Sequence, residues 1–128
     1  MERSRDWKKQ ARRDLEHARE SVRLGHYEWA CFSAQQAAEK ALKAVCERRH
    51  AEAWDHLVSR LLRALSESRE VSDDRIEEAA FLDQHYIPTR YPFAFDQGAP
   101  MEFYSRNQAQ QAIEYAEHIV EFCGVEVP

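Results

Sequence analysis

The stretch Ser33-Ala34-Gln35-Gln36-Ala37-Ala38-Glu39-Lys40-Ala41-Leu42-Lys43 carries four alanines at helical spacing. Small apolar residues recur there every three or four positions, which is the pattern of one face of an α-helix. The pattern continues on both sides, so we expect this helix to run from about Tyr27 to Arg49. Because alanine side chains are short, neighbouring helices can approach such a face closely. The pattern therefore predicts the central helix of an antiparallel bundle.

Four more segments have helical periodicity, and caps mark their ends. Only three glycines occur, so short turns between helices are the economical interpretation. We expect the first helix to run from about Asp6 to Leu24 and the third to start at a cap by Asp55. The fourth should start at Ser72 and end near Tyr86. The fifth should start at a capping box of Ser105 and Gln108 and end at Gly124. The sequence thus predicts an all-α, up-and-down bundle of about five helices, with a long ordered loop before the last.

Length and charge limit the classes of protein. A chain of 128 residues fits one helical domain over residues 1–128. No apolar run reaches the roughly 18 residues of a membrane span, so we expect a cytoplasmic protein without a membrane partner. The net charge of −5 argues against a general nucleic-acid coat, and we expect no DNA partner. The charge is uneven: residues 1–64 sum to +4 and residues 65–128 to −9.

Neither cysteines nor histidines form a metal or disulfide pattern. Cys31, Cys46 and Cys123 are odd in number and widely spaced, which favours reduced thiols in the core. Metal sites in helical bundles repeat a Glu-x-x-His motif on two helices, and this chain lacks that repeat. We therefore predict no metal.

The connection of residues 87–103 contains three of the four prolines and four aromatic residues. A connection of this length inside a compact domain is usually functional or disordered, and its aromatic content favours a packed loop. Pro88 and Pro92 bracket Arg90 and narrow its backbone freedom. Arg90 with Tyr86 and Tyr91 is typical of a clamp for phosphate or carboxylate. The alternative is an ion pair of Arg90 with a carboxylate such as Asp83 or Asp96.

The first predicted helix also has a basic edge beside its apolar face. Its residues are Arg5, Lys8, Arg12, Arg19 and Arg23. Such a strip can hold phosphates, or it can be a solvated face that is neutralised by Glu16 and Glu20 and by the acidic second half.

Three stretches together resemble the HEPN domain family. They are Ser33 to Lys43 as quoted above, Asp55-His56-Leu57, and Leu82-Asp83-Gln84-His85-Tyr86-Ile87-Pro88-Thr89-Arg90-Tyr91-Pro92. The resemblance covers about Trp7 to Cys123. It implies a helical bundle that dimerises. Family members bind nucleotides, accompany minimal nucleotidyltransferases that are separate partner proteins, or act as metal-independent ribonucleases in toxin–antitoxin and defence systems.

The ribonuclease branch of that family carries an Arg followed, after four to six intervening residues, by a His. Arg90 is the best candidate for this Arg, but Phe95, Asp96 and Gln97 stand where the His is required. The motif is therefore incomplete, and the interpretation leans against an enzyme. If catalysis occurs, the candidates for it are Arg90, His56 and His85.

The resemblance and the loop together give the functional hypothesis. We expect a homodimer with an anion-binding cleft around Arg90, lined also by Tyr86, Tyr91 and His56. This dimer would be the nucleotide-binding or regulatory partner of a minimal nucleotidyltransferase, with a nucleotide or RNA phosphate as ligand and no cofactor. His56 alternatively closes the turn before the third helix. A ribonuclease and a purely structural interaction module are the alternative functions.

Overall fold

The computed structural model describes all 128 residues as five α-helices and two short 3₁₀ turns, without a β-strand. The elements, in chain order, are α1 Ser4–Arg23, α2 Tyr27–Arg48, α3 Val58–Leu65, α4 Asp73–Asp83, the 3₁₀ turns Pro92–Ala94 and Pro100–Glu102, and α5 Arg106–Gly124. The predicted all-α fold of about five helices is confirmed. None of the helices is both long and apolar enough to cross a membrane.

Helix α2 lies at the centre and contacts each of the other four helices. All six of its alanines are buried, as the sequence pattern indicated. Fully buried alanines of the two flanking helices meet this face, namely Ala11 and Ala18 of α1 and Ala109, Ala112 and Ala116 of α5. Because none of these side chains extends beyond Cβ, the three helix axes can pack closely along most of their length.

Contacts between side chains give the directions of the long helices. Arg3 beside α1 donates its backbone N–H to Glu47, whereas Asp14 further along α1 pairs with Lys40. Residue numbers fall along α2 as they rise along α1, so these two helices are antiparallel. This is the packing that the short turn between them predicts.

Helix α5 runs parallel to α2. At the start of both helices the Arg106 guanidinium lies over the Tyr27 ring, 5.7 Å from its centroid. Beyond their ends Glu126 pairs with Arg49 at 2.6 Å. Helix α4 is antiparallel to α5, since Glu78 contacts His118 and the Phe81 ring packs against that of Tyr115.

The connection of residues 49–57 turns back along α2 instead of forming a short turn. Gln35 Nε2 in the first half of α2 donates to the carbonyl of His56 at 3.1 Å. Arg49 at the end of α2 donates to Ser68 Oγ, just after α3, at 2.6 Å. Helix α3 therefore starts beside the first half of α2 and runs parallel to it, so the strict up-and-down order predicted from the sequence is wrong at this connection.

The third helix has a cap that sequence spacing did not predict. Asp55 was expected at its N-terminus, but the helix begins at Val58, and Asp55 accepts from Leu57 N–H in the preceding turn. The carboxylate of Asp83, the last residue of α4, instead accepts from Val58 N–H at 2.6 Å and from Ser59. A carboxylate at a helix N-terminus satisfies free N–H groups and is favoured by the helix dipole. Asp83 thus joins α3 to α4.

The three cysteines are free thiols, as predicted. Cys31 and Cys123 are buried, and Cys46 is half-buried. Burial raises the pKa of Cys31 and of Cys123 to about 12, so both remain protonated thiols near neutral pH. They serve as small apolar side chains of the core.

Replacement of Asp83 by Ala is expected to lower the free energy of unfolding by about 1–2 kcal/mol, because α3 loses its only side-chain cap. Asp83→Asn should lose clearly less, since its amide oxygen can still accept. Burial also raises the pKa of Asp83, so a neutral group is tolerated there. Urea denaturation of the three proteins measures this. Equal stability of Asp83→Ala and wild type would contradict the assignment of the cap.

Candidate functional site

The proline-bracketed segment folds as consecutive tight turns after α4. Tyr86 N–H donates to the Asp83 carbonyl, and Arg90 N–H donates to the Ile87 carbonyl. The Thr89 hydroxyl, which is buried, donates to the His85 carbonyl at 2.8 Å. These turns bring the Arg90 side chain back over the residue four positions earlier. The segment therefore sets the position of one guanidinium group.

Arg90 lies among three aromatic rings. Its Nε and Nη2 donate to the Tyr86 carbonyl at 3.0 and 2.7 Å. Its guanidinium carbon is 4.3 Å from the ring centroid of Phe32, 5.0 Å from that of Tyr86 and 5.1 Å from that of Tyr91. Guanidinium groups over ring faces are stabilised by cation–π attraction. The rings and the carbonyl hold Arg90 in one place on the surface of the bundle.

No carboxylate pairs with Arg90. The alternative prediction of an ion pair with Asp83 or Asp96 is wrong, because the Asp83 carboxylate is engaged at the start of α3 and Arg90 bonds a carbonyl. A guanidinium has five N–H donors. Two of these donors contact Tyr86, so three remain for a ligand. The positive charge of Arg90 is not neutralised by the chain itself.

The His56 ring also contacts the Tyr86 ring. The two rings stack with centroids 5.3 Å apart and planes at 12°. His56 Nδ1 lies 3.3 Å from Glu39 Oε2. An ionised carboxylate accepts only, so in this contact Nδ1 carries a hydrogen and donates it to Glu39, whereas Nε2 has no partner within the protein. The structure thus brings together the four predicted ligand-binding residues Arg90, Tyr86, Tyr91 and His56, and with Phe32 they form what we call the Arg90 cluster.

A buried polar row on α2 orients His56, and sequence reasoning missed it. Glu39 is 4% exposed and pairs with Lys43 at 2.9 Å. Gln35 Nε2 donates to Glu39 Oε1 and to the His56 carbonyl, both at 3.1 Å. The signal was available, because Gln35, Glu39 and Lys43 recur every four residues and interrupt an alanine-rich face. Buried polar groups of this kind need partners.

His85 lies apart from this cluster although it precedes Tyr86. It is 4% exposed and packs edge-to-face against Phe81 and Tyr104, with ring centroids 5.0 and 5.6 Å apart. Neither ring nitrogen has a hydrogen-bond partner. Burial lowers the pKa of His85 to about 4. This candidate for catalysis is therefore a neutral imidazole inside the protein.

Exposed apolar side chains border the Arg90 cluster. Trp29 packs edge-to-face on Phe32, and Phe93 stacks on Tyr91 with centroids 5.5 Å apart. Trp29, Ile87 and Phe93 are 46%, 37% and 78% exposed. We call these three residues the apolar rim. Adjoining apolar groups of this size on a small protein are typical of an interaction surface.

Comparison with known proteins gives a family and a curated relative. A family model described as HEPN domain matches residues 4–126. The protein named Putative toxin MJ1304, from Methanocaldococcus jannaschii, is 28% identical over 122 residues, covering 88% of this chain and 80% of that protein.

Three solved structures share the fold over nearly the whole chain. TT1696 from Thermus thermophilus is 46% identical, with a TM-score of 0.95 over 98% of this chain and 99% of its own. ST0689, described as an archaeal HEPN homologue, is 39% identical with a TM-score of 0.84 over all of both chains. The HEPN domain protein tm0613 from Thermotoga maritima is 40% identical with a TM-score of 0.77, covering 93% of this chain and 94% of that one.

The stability of the protein is expected to depend on pH through His85. Above pH 6.5, the ordinary pKa of histidine, His85 is neutral in the folded and unfolded states and the folded state has its full stability. As the pH falls from there toward about 4, the unfolded chain binds a proton that the folded protein does not, so the folded state loses stability. The free energy of unfolding should therefore fall by up to about 3 kcal/mol over this range. Urea denaturation at a series of pH values measures the loss.

The variant His85→Leu should show a flatter pH dependence than wild type between pH 6.5 and 4. His17→Gln, which removes an exposed histidine of α1, is the control and should follow wild type. If His85→Leu keeps the full pH dependence, another group causes it.

Proposed function

The chain belongs to the HEPN domain family, and from this premise we propose that it is a dimeric nucleotide-binding protein, the regulatory partner of a minimal nucleotidyltransferase. The observation that carries the proposal is the state of Arg90, whose guanidinium is held by rings and a carbonyl without a carboxylate partner. The partner enzyme is inferred from the family, in which such pairs occur.

A phosphate group fits the free side of Arg90. Guanidinium groups match phosphate oxygens in a bidentate geometry, and three of the N–H donors of Arg90 are free. Because the group is already fixed over Phe32, Tyr86 and Tyr91, little side-chain entropy is lost when the ligand binds. An anion would therefore find a preorganised partner.

The base or sugar of a nucleotide has neighbouring surfaces to contact. The Tyr91 ring is 42% exposed, and the His56 side chain is 57% exposed where it stacks on Tyr86. Stacking on such rings contributes roughly 1–3 kcal/mol per base and tolerates any base. The Arg90 cluster thus offers phosphate binding and base stacking side by side.

The apolar rim supports the dimer. Aromatic residues and arginine are enriched at the centres of protein interfaces. If the rims of two copies meet across a twofold axis, each Arg90 lies at the edge of a shared cleft. Such a cleft would carry two uncompensated positive charges and would favour an anionic ligand.

Nucleotide should stabilise the wild-type protein through Arg90. Addition of ATP at about 100 times its Kd should raise the free energy of unfolding by about 2.7 kcal/mol and hence the Tm. Arg90→Gln should lose this shift, and Arg90→Lys should keep only part of it, because lysine retains the charge but not the planar fork. Thermal melts with and without ATP measure the effect.

The matched control is Arg63→Gln, which removes an exposed and unpaired arginine of α3 and should leave the Tm shift unchanged. An equal Tm shift in Arg90→Gln and wild type would reject the binding site. Light scattering of the ligand-free protein at micromolar concentration should give twice the chain mass of 15.1 kDa. A monomer would remove the shared cleft from the proposal.

A second candidate function, metal-independent cleavage of RNA, is favoured by the contact between His56 and Glu39. A carboxylate that orients an imidazole beside an arginine is an arrangement used for proton transfer near a phosphate. Both Arg90 and His56 contact the Tyr86 ring, so the two groups are at most about 10 Å apart. His56 would then take the place of the motif histidine that this chain lacks after Arg90. The toxin-named relative from M. jannaschii is consistent with this function.

If the protein is a ribonuclease, wild type should cleave single-stranded RNA in the presence of EDTA. His56→Ala should slow cleavage by about 10²–10⁴-fold, the contribution of one general acid or base. Glu39→Gln should slow it less and shift the pH–rate profile, since Glu39 acts through His56. Gel assays with a labelled oligonucleotide measure the rates. Absence of cleavage by wild type, or equal rates in His56→Ala, would leave nucleotide binding as the function.

A further inference from the structure

The first half of α1 carries four cations that no acidic side chain neutralises. Arg5, Lys8, Lys9 and Arg12 follow the spacing i, i+3, i+4, i+7 and therefore share one side of the helix. None of them forms an ion pair or a side-chain hydrogen bond within the protein. Together with Arg13, Glu16 and Pro128 they line an open groove of about 520 Å³. We call the four residues the basic strip.

The other arginines of α1 differ from the basic strip. Arg13 pairs with Glu16, Arg19 with Glu117, and Arg23 with Glu20. The expectation of a solvated face that acidic residues neutralise thus holds for the second half of the helix only. In the first half Asp6 pairs with Arg3, and Glu16, the only acidic residue of the groove, pairs with Arg13, so neither carboxylate pairs with the basic strip.

The crowding of like charges costs free energy unless an anion binds. Residues at i,i+3 and i,i+4 face each other on a helix, and like charges at these spacings are destabilising. Partial burial, with the neighbouring charges of Arg12 and Arg5, lowers the pKa of Lys8. The protein therefore keeps four mutually repelling charges that no acidic side chain offsets.

The chemistry of the groove favours a nucleic acid over a protein partner. Protein interfaces have apolar, aromatic-rich centres. No apolar side chain other than that of Pro128 lines the groove, and its positive groups all project from one helix. Interfaces with nucleic acids are more polar and much more positively charged. We propose that the basic strip binds the phosphate backbone of a nucleic-acid strand.

The dimensions fit this ligand. Seven residues separate Arg5 from Arg12, which is about 10 Å along a helix axis. Each strand of a duplex presents a phosphate about every 3.4 Å along the helix axis, and an extended single strand spaces its phosphates more widely, so roughly two or three phosphates fall within the strip. The strip shares no residue with the Arg90 cluster. It therefore goes beyond the proposed function as a second, sequence-independent contact surface, which would hold a strand on the protein whether or not Arg90 binds a nucleotide.

The test compares two double variants that remove the same charge from the same helix. Lys8→Gln with Arg12→Gln removes two cations of the basic strip, and Arg19→Gln with Arg23→Gln removes two paired ones. Binding of a fluorescein-labelled 12-mer of uridine is measured by fluorescence anisotropy at NaCl concentrations from about 50 to about 300 mM. In this range the affinity of phosphate contacts falls steeply with salt. Circular dichroism melts check that both variants are folded.

The strip variant should bind about tenfold or more weakly at low salt, and its slope of log K against log salt should be about 1.4 shallower, at about 0.7 per phosphate lost. The paired-arginine variant should stay close to wild type. A thymidine 12-mer of DNA should bind similarly, because the contacts are to phosphates, and this departs from the expectation of no DNA partner that the net charge suggested. Equal weakening in the two variants, or no binding of either oligonucleotide by wild type, would overturn the proposal.

The double variant Lys8→Gln with Arg12→Gln separates this inference from the proposed function, because neither residue belongs to the Arg90 cluster. It should lose oligonucleotide affinity but keep the ATP-induced Tm shift of wild type. If the strip variant binds like wild type while Arg90→Gln loses ATP binding, the basic strip is rejected and the proposed function stands. If the strip variant loses oligonucleotide affinity and ATP does not shift the Tm of wild type, the basic strip stands and the proposed nucleotide binding is rejected.

Discussion

Close packing against the alanine face of α2 is the constraint on which the rest of the structure depends. All four other helices contact α2, and each of its buried alanines places only a methyl group between the axis of α2 and that of its neighbour. A long polar residue on such a helix cannot be accommodated unless its polar atoms find partners within the protein. Gln35 and Glu39 meet this condition by bonding each other, Lys43 and the chain at His56. The packing that makes the bundle thus also fixes the imidazole of the candidate site.

The Arg90 segment shows a different solution for a charged group. The other two half-buried arginines in this protein pair with acidic side chains, Arg69 with Glu126 and Arg75 with Glu78. Arg90 instead uses a backbone carbonyl and ring faces, which position the guanidinium but do not cancel its charge. The guanidinium of Arg90 is therefore fixed in position without being neutralised.

Local patterns were sufficient for much of the fold. Helical periodicity and caps such as the capping box of Ser105 and Gln108 depend on residues within one or two turns, and these predictions are confirmed. The proximity of Arg90, Tyr86 and Tyr91 was also predictable, because they lie within one proline-bracketed segment. The contacts that sequence reasoning missed join distant residues: Asp83 caps a helix 25 positions earlier, and Glu39 orients a histidine 17 positions later. Periodicity carries no information on which distant elements meet.

The cap that Asp83 supplies has a consequence for the order in which the protein folds. Helix α3 has only eight residues, too few to persist alone in water. Its N-terminus is completed by a residue of α4, so the two helices gain stability together and form one cooperative hairpin. His56 lies two residues before α3, at the point where that hairpin joins the rest of the chain. The imidazole–carboxylate contact of His56 with Glu39 therefore depends on the placement of this hairpin against α2.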